Sequence, residues 1–223
     1  LVLGIAATLI PAEASRPYVT FLEPVFRLSA KLIDLIMYAA PFAVACLLFN
    51  NIAQFGLELL GALGWFIVTV LLGLSLHMFG VYSISIAWLS RISPLEFFKR
   101  IKTVMLTAFS TSSSNATLPT ALVETEKNLG VPRHITNFVL TVGATANQNG
   151  TALYEGVTVL FLAQLFGVEL SLLQQAGVMA ISVLAGVGSA GVPGGGTAAI
   201  AVILGLFGIP PEGVVLIVGV DRF

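Results

Sequence analysis

Long apolar runs, interrupted by short polar or glycine-rich breaks, organise this chain. The apolar stretches are Leu1 to Ile10, about Phe21 to Phe49, Leu59 to Leu89 and Ile135 to Phe166, with a further start at Val214. Roughly 20 apolar residues cross a hydrocarbon core of about 30 Å, and several of these stretches reach that length. Two more are broken inside. The first, Pro94 to Val123, breaks at Thr111-Ser-Ser-Ser-Asn115, and the second, Leu170 to Ile209, breaks at Gly191-Val-Pro-Gly-Gly-Gly196. Their arms are too short to span comfortably, so the pattern predicts two helical hairpins, at about 94–123 and 170–209. The stretch from Ile135 to Phe166 exceeds a straight crossing, and its Asn149-Gly150 pair favours a turn, which predicts an unwound centre. The fold class expected is an all-α membrane protein.

Composition agrees with that reading. Hydrophobic residues make up 57% of the chain and charged residues 9%, against about 25% charged in a typical soluble domain. The net charge of -1 identifies no partner, and nothing suggests nucleic acid. One cysteine, Cys46, excludes an intramolecular disulfide and a CxxC site, and reads as a small hydrophobe. The chain opens inside an apolar run without methionine and stops at Asp221-Arg222-Phe223 just after another run has begun, as a piece of a longer protein would.

The distribution of lysine and arginine sets an orientation, because cytoplasmic loops are enriched in them. Arg16, Arg27 and Lys31 precede or enter the second run, and Arg91, Lys99, Arg100 and Lys102 follow the third. Lys127 and Arg133 join the same side only if residues 94–123 dip in and return. The segments Asn50 to Glu58, Gly167 to Glu169 and Pro210 to Gly213 carry no basic residue and suit the outside. Nine of the ten basic residues then face the cytoplasm, with Arg222 early in the last run. Two hairpins entering from opposite faces, each followed by a span, make an inverted repeat, which places substrate near the midplane where broken helices offer free backbone groups.

Polar residues gather at the breaks. Ser112, Ser113, Ser114, Asn115 and Thr117 put hydroxyls and amides at the first hairpin tip, readable as a ligand site or as a plain polar turn. A catalytic serine would need a base, and the only histidines, His77 and His134, lie elsewhere; the chain is not expected to be an enzyme. Gly191 to Gly196 lacks the following Gly-Lys-Ser/Thr of a phosphate loop and fits either a flexible gate or a simple helix break. Thr145, Asn147, Gln148, Asn149, Gly150 and Thr151 lie mid-span, where polar side chains face a cavity or ligand, or bond across helices. Glu155 follows one turn later.

These motifs resemble the dicarboxylate/amino acid:cation symporter family, which includes the glutamate transporters. "MLTAFSTSSSNATLPT", Met105 to Thr120, resembles the family's first re-entrant hairpin; "GATANQNGTALYEG", Gly143 to Gly156, its seventh transmembrane segment; and "GSAGVPGGG", Gly188 to Gly196, its second hairpin, the extracellular gate. The resemblance covers nearly the whole chain, in order and with matching spacing. It implies a glutamate-transporter-like fold with two re-entrant hairpins in an inverted repeat, a homotrimer in the plasma or inner membrane, and an elevator-like mechanism. Residues 1–60 would belong to the scaffold and 61–223 to the mobile transport domain. By resemblance, substrate carboxylates meet Thr111, Ser112, Ser113, Ser114, Thr151 and the tip Val192, Pro193, Gly194, Gly195 and Gly196. Sodium meets Gly143, Thr145, Asn147 and Asn149, with Gly186, Val187, Gly188 and Ser189. No cofactor is implied beyond the coupling ion, sodium and/or proton.

Two positions depart from the family's Asn-Met-Asp-Gly-Thr motif: Gln148 replaces its Met and Asn149 its Asp. Asparagine offers an oxygen without a charge, so the resemblance implies fewer sodium ions per substrate than in aspartate-bearing relatives, or a proton in place of one, with Glu155 as its carrier. Some relatives carry an arginine where Thr111 stands. The same family contains proton-coupled and neutral amino acid carriers, which the residues also allow. A channel built from re-entrant loops would repeat one loop around an axis, whereas these two hairpins differ in sequence.

Overall fold

The computed structural model describes residues 6, 7, 9–189, 191, 192 and 194–218, without the side chains at 30, 33, 34, 37, 40, 54 and 55. Pro193, Asp221 and Arg222, singled out above, lie outside the described residues, as does most of the first apolar run. Among the described residues every regular element is helical. The chain divides into two compact units, Leu1–Cys46 and Leu47–Phe223.

The first unit is carried by α1 (Ala12–Phe55), which continues into the second. Its helix runs through Pro17, Pro24 and Pro41, each lacking the N–H that an interior helical position donates. Phe21, Leu28 and Phe42 all point outward, at 67%, 71% and 77% exposure, a surface suited to lipid or protein rather than water. Glu23 and Arg27 pair along the exposed helix at i,i+4 spacing. The helix is longer than the apolar run, and the connection expected over Asn50 to Glu58 shrinks to Gly56 and Leu57, because Asn50, Asn51 and Gln54 stay helical and Gly56 ends the helix at φ 78°.

The second unit opens with α2 (Glu58–Ser75), a π-helical turn (Leu76–Val81) and α3 (Tyr82–Leu89). Together they form a 32-residue helix holding an 18-residue window of mean hydropathy 2.2, long and apolar enough to cross a membrane. Only 22% of its apolar window is buried, so this is not the enclosed core helix of a soluble domain. Leu59, Leu63, Phe66 and Val70 turn inward at helical spacing while Trp65, Leu72 and Leu76 face out.

Next come α4 (Pro94–Arg100), α5 (Lys102–Thr111) and α6 (Ser114–Leu129), the segment read from the sequence as the first hairpin, whose last helix runs past residue 123. Ser93 caps α4 by accepting from the Glu96 N–H, with Pro94 in the first turn where its missing donor costs nothing. A break at Ile101 separates α4 from α5; no local sequence signal marks it. Gly130 ends α6 at φ 68°. The long polar-centred span is α7 (Arg133–Ala146) and α8 (Asn149–Leu165), non-helical at Asn147 and Gln148. The second hairpin is α9 (Leu172–Gly188), started by a Ser171/Gln174 capping box, and α10 (Thr197–Leu206). A 3-10 turn (Pro211–Gly213) leads to α11 (Val214–Val218). All three interruptions read from the sequence are present, but in the long span the break falls at Asn147 and Gln148, while the Asn149-Gly150 pair expected to turn is helical.

The core lies around α8. Val159, Leu162 and Ala163 of α8 pack with α2, with Val178 of α9, with Ile200, Ile203 and Leu204 of α10, and with Ile209, Leu216 and Ile217 beyond it. Where surroundings are apolar, burial alone drives little helix association, and close packing of small residues carries it. The α8–α9 seam shows this: a Cβ on Gly156 would lie 2.8 Å from Met179 Sδ, and one on Gly186 would lie 3.2 Å from Ala152 Cβ.

Candidate substrate and cation site

The first hairpin turns at Ser112, the sole non-glycine residue with positive φ among the described residues, at φ 47° and ψ 33°. Left-handed backbone costs an L-residue about 1–2 kcal/mol, so surrounding bonds have to hold it. They do. Thr111 Oγ1 donates to the Thr107 carbonyl at 2.8 Å, and Thr117 Oγ1 donates to the Ser113 carbonyl at 2.8 Å. Ser113 is the N-cap of α6, its Oγ accepting from the Ala116 N–H at 3.2 Å.

The same Ser113 hydroxyl donates to the carbonyl of Gly191 at 2.7 Å, across 78 residues of sequence. The Asn115 N–H reaches that carbonyl at 3.2 Å. The serine tip is thus bonded to the glycine tip. A Cβ on Gly191 would stand 3.1 Å from both Ser114 Cβ and Asn115 Oδ1, a tight fit that would push these neighbours back by a few tenths of an ångström.

At its other end the glycine tip meets the first turns of α8. A Cβ on Gly196 would lie 3.2 Å from Thr151 Cγ2 and 3.0 Å from Glu155 Oε1. Between these ends Gly194 sits at φ 73°, and its carbonyl accepts from Thr197 Oγ1 at 2.8 Å. The Gly195 N–H donates to the Val192 carbonyl at 3.1 Å. Helix N-termini at α6 and α10, and the first turn of α8, all border this tip; such termini favour an anion through free N–H groups and the helix dipole.

The expected cation ligands divide. A Cβ on Gly186 would lie 3.3 Å from the Gln148 carbonyl, so the end of α9 packs on the Asn147–Gln148 break. Ser189 Oγ is buried there without a hydrogen-bond partner, as an oxygen reserved for a ligand would be. Val187 and Gly188 are exposed. On α7 the Gly143 carbonyl accepts from the Asn147 N–H at 2.9 Å, and Thr145 Oγ1 donates to the Val142 carbonyl at 3.0 Å. The last carbonyls of α7 form a helix C-terminus, the end that favours a cation. Thr151 Oγ1 donates to Gln148 Oε1 at 3.4 Å, and Gln148 Nε2 to the Ala144 carbonyl at 2.7 Å. Glu155 is fully buried, and neither carboxylate oxygen has a hydrogen-bond partner. No lysine or arginine occurs in α8, α9 or α10.

Two features had no sequence signal. The π turn at Leu76–Val81 leaves no mark in an unbroken apolar run. Tyr82, just beyond it, accepts from Asn149 Nδ2 at 3.4 Å.

Breaks inside apolar helices leave backbone groups free, as broken helices do at the ligand sites of membrane carriers. The family model for the sodium:dicarboxylate symporter family matches residues 1–223, and the chain belongs to that family. It is 35% identical over 220 residues to a proton/sodium-glutamate symport protein of Bacillus subtilis (strain 168), covering 99% of this chain and 50% of that one. With a proton/glutamate-aspartate symporter of the same organism it shares 35% over 222 residues, covering 100% and 53%. With excitatory amino acid transporter 2 of Homo sapiens it shares 39% over 212 residues, covering 94% and 37%. The chain thus spans about half the length of these bacterial relatives, and less of the human one.

Proposed function

We propose that this protein is part of a secondary active symporter that carries an acidic amino acid or dicarboxylate with cations across a plasma or inner membrane. The observation that carries the reading is the meeting of the serine tip, the glycine tip and the first turns of α8: Ser113 bonded to Gly191, and Gly196 packed on Thr151 and Glu155. An anion bound there would take donors from Ser112 to Ser114, Thr151 and the free N–H groups of the glycine tip. Cations would take oxygens from Asn147, Asn149, the end of α7 and the segment Gly186 to Ser189.

In this reading residues 94–123 and 170–209 re-enter the membrane from opposite faces as an inverted repeat. Residues 61–223 belong to a mobile transport domain, residues 1–60 to a scaffold, and the assembly is a homotrimer moving like an elevator. The names of the relatives, glutamate symporters and excitatory amino acid transporters, favour glutamate or aspartate as substrate. Glu155 supports a proton among the coupled ions: a buried carboxylate without an opposing cation is tolerated only when a proton or a bound cation neutralises it.

The test is uptake of radiolabelled L-glutamate and succinate into liposomes holding the protein as it is made in the cell, driven by a sodium or a proton gradient. Saturable, gradient-dependent accumulation is expected; a linear, non-accumulating flux would favour a channel. Asn149→Asp should steepen the sodium dependence, and Glu155→Gln should remove the response to a proton gradient.

A further inference from the structure

The antiparallel course of α2 and α8 brings a third element to the cation site. Phe66 packs on Phe161 with ring centroids 4.9 Å apart, Gly73 lies against Leu153, and Leu74 against Gly150, so the helix advances toward the α7–α8 break as its numbering rises. In an uninterrupted α-helix Tyr82, eight residues after Leu74, would point about 80° away from it at about 100° per residue. The π turn accommodates about one extra residue and so rotates the helix beyond it back by about 100°, which returns Tyr82 to the face that Leu74 presents to Gly150. The Tyr82 N–H donates to the His77 carbonyl, the i→i+5 bond of the turn, and the two rings stack edge to face at 4.7 Å. His77 thereby fixes the phenol ring. Its hydroxyl accepts from Asn149 Nδ2 at 3.4 Å.

An asparagine amide presents either an oxygen or two N–H donors, according to how it is turned. We propose that Tyr82, aimed by the π turn, is a positioning residue that engages the Asn149 amide nitrogen and so presents Asn149 Oδ1 to the coupling cation. A charged side chain at this position would attract the cation in either carboxylate orientation. The neutral amide attracts it in one orientation only, which gives Tyr82 a role that an aspartate would not require. The inference rests on the reading of Asn149 as a cation ligand.

Tyr82→Phe keeps the ring against His77 and removes the hydroxyl, so its melting temperature should match that of the unaltered protein. Initial uptake of radiolabelled L-glutamate, measured against sodium concentration in liposomes, should show half-maximal sodium raised about 2- to 10-fold, the range of one hydrogen bond. The substrate KM at saturating sodium should not change. In an Asn149→Ala background, Tyr82→Phe should produce no additional shift. An equal shift in both backgrounds, or none in the presence of Asn149, would overturn the proposal while leaving the ligand reading intact. Unaltered sodium dependence in Asn149→Ala alone would remove Asn149 as a ligand, and the role of Tyr82 with it.

Discussion

The serine tip at Ser112 and the glycine tip at Gly191 to Gly196 turn the backbone by opposite means. The serine tip is tied by its side chains: Thr111, Ser113 and Thr117 bond to backbone within the turn and hold Ser112 in a conformation costly for a non-glycine residue. At its open end Arg100 donates to the Asn128 carbonyl at 3.2 Å while Asn128 Nδ2 donates to the Arg100 carbonyl at 3.0 Å, clamping α4 to α6. The glycine tip shows no such clamp among the described residues: Thr197 supplies a hydroxyl, and its other internal bonds are backbone turns at Val192 to Gly196. That difference predicts a fixed anchor at the serine tip and movement at the glycine tip.

If that contrast is correct, the bond between them is the most damaging to lose. Ser113→Ala removes the N-cap of α6 and leaves the Gly191 carbonyl without its closest donor, together about 2–3 kcal/mol. Substrate affinity should fall by roughly 30- to 150-fold while expression is retained, read from the concentration dependence of uptake. An unchanged affinity would detach the anchor from the mover. Gly196→Ala comes second. Its φ of -85° suits alanine, but the methyl would press on Thr151 and Glu155, an overpacking cost of about 1–2 kcal/mol on the closed tip. The expected result is an approximately 5- to 30-fold weaker substrate affinity and faster cysteine labelling at an introduced Thr197→Cys reporter. The smallest effect belongs to the clamp. Asn128→Ala, at an exposed site, should cost about 1 kcal/mol or less, lowering the melting temperature by a few degrees without changing substrate affinity.

Much of this organisation is legible in the order of residues. The breaks at Thr111 to Asn115, at Asn147 and Gln148, and at Gly191 to Gly196 are marked by polar or glycine runs inside apolar stretches, because a bilayer tolerates irregular backbone only where side chains or a cavity satisfy it. The family resemblance then orders those breaks into one site. The bond from Ser113 to Gly191 spans 78 residues, and no local pattern encodes a contact at that separation. The π turn is hidden for another reason: an extra residue per turn alters the phase of side chains without altering their hydrophobicity, so a run from Leu59 to Leu89 reads as uniform helix. The end of α1 is equally hidden, since its last turns carry asparagine and glutamine, which helices accept at modest cost.

At ten residues, α10 is about 15 Å long, half of a hydrocarbon core. The order of assembly during synthesis follows from that length. The helix from Glu58 to Leu89 can leave the translocation machinery sideways into lipid on its own, whereas α10 cannot be recognised as a span. Its Ile200, Ile203 and Leu204 pack into the core around α8, so α10 is expected to enter the membrane as a late companion to helices already there. The site would therefore close only once α10, made after α8, has packed beside it.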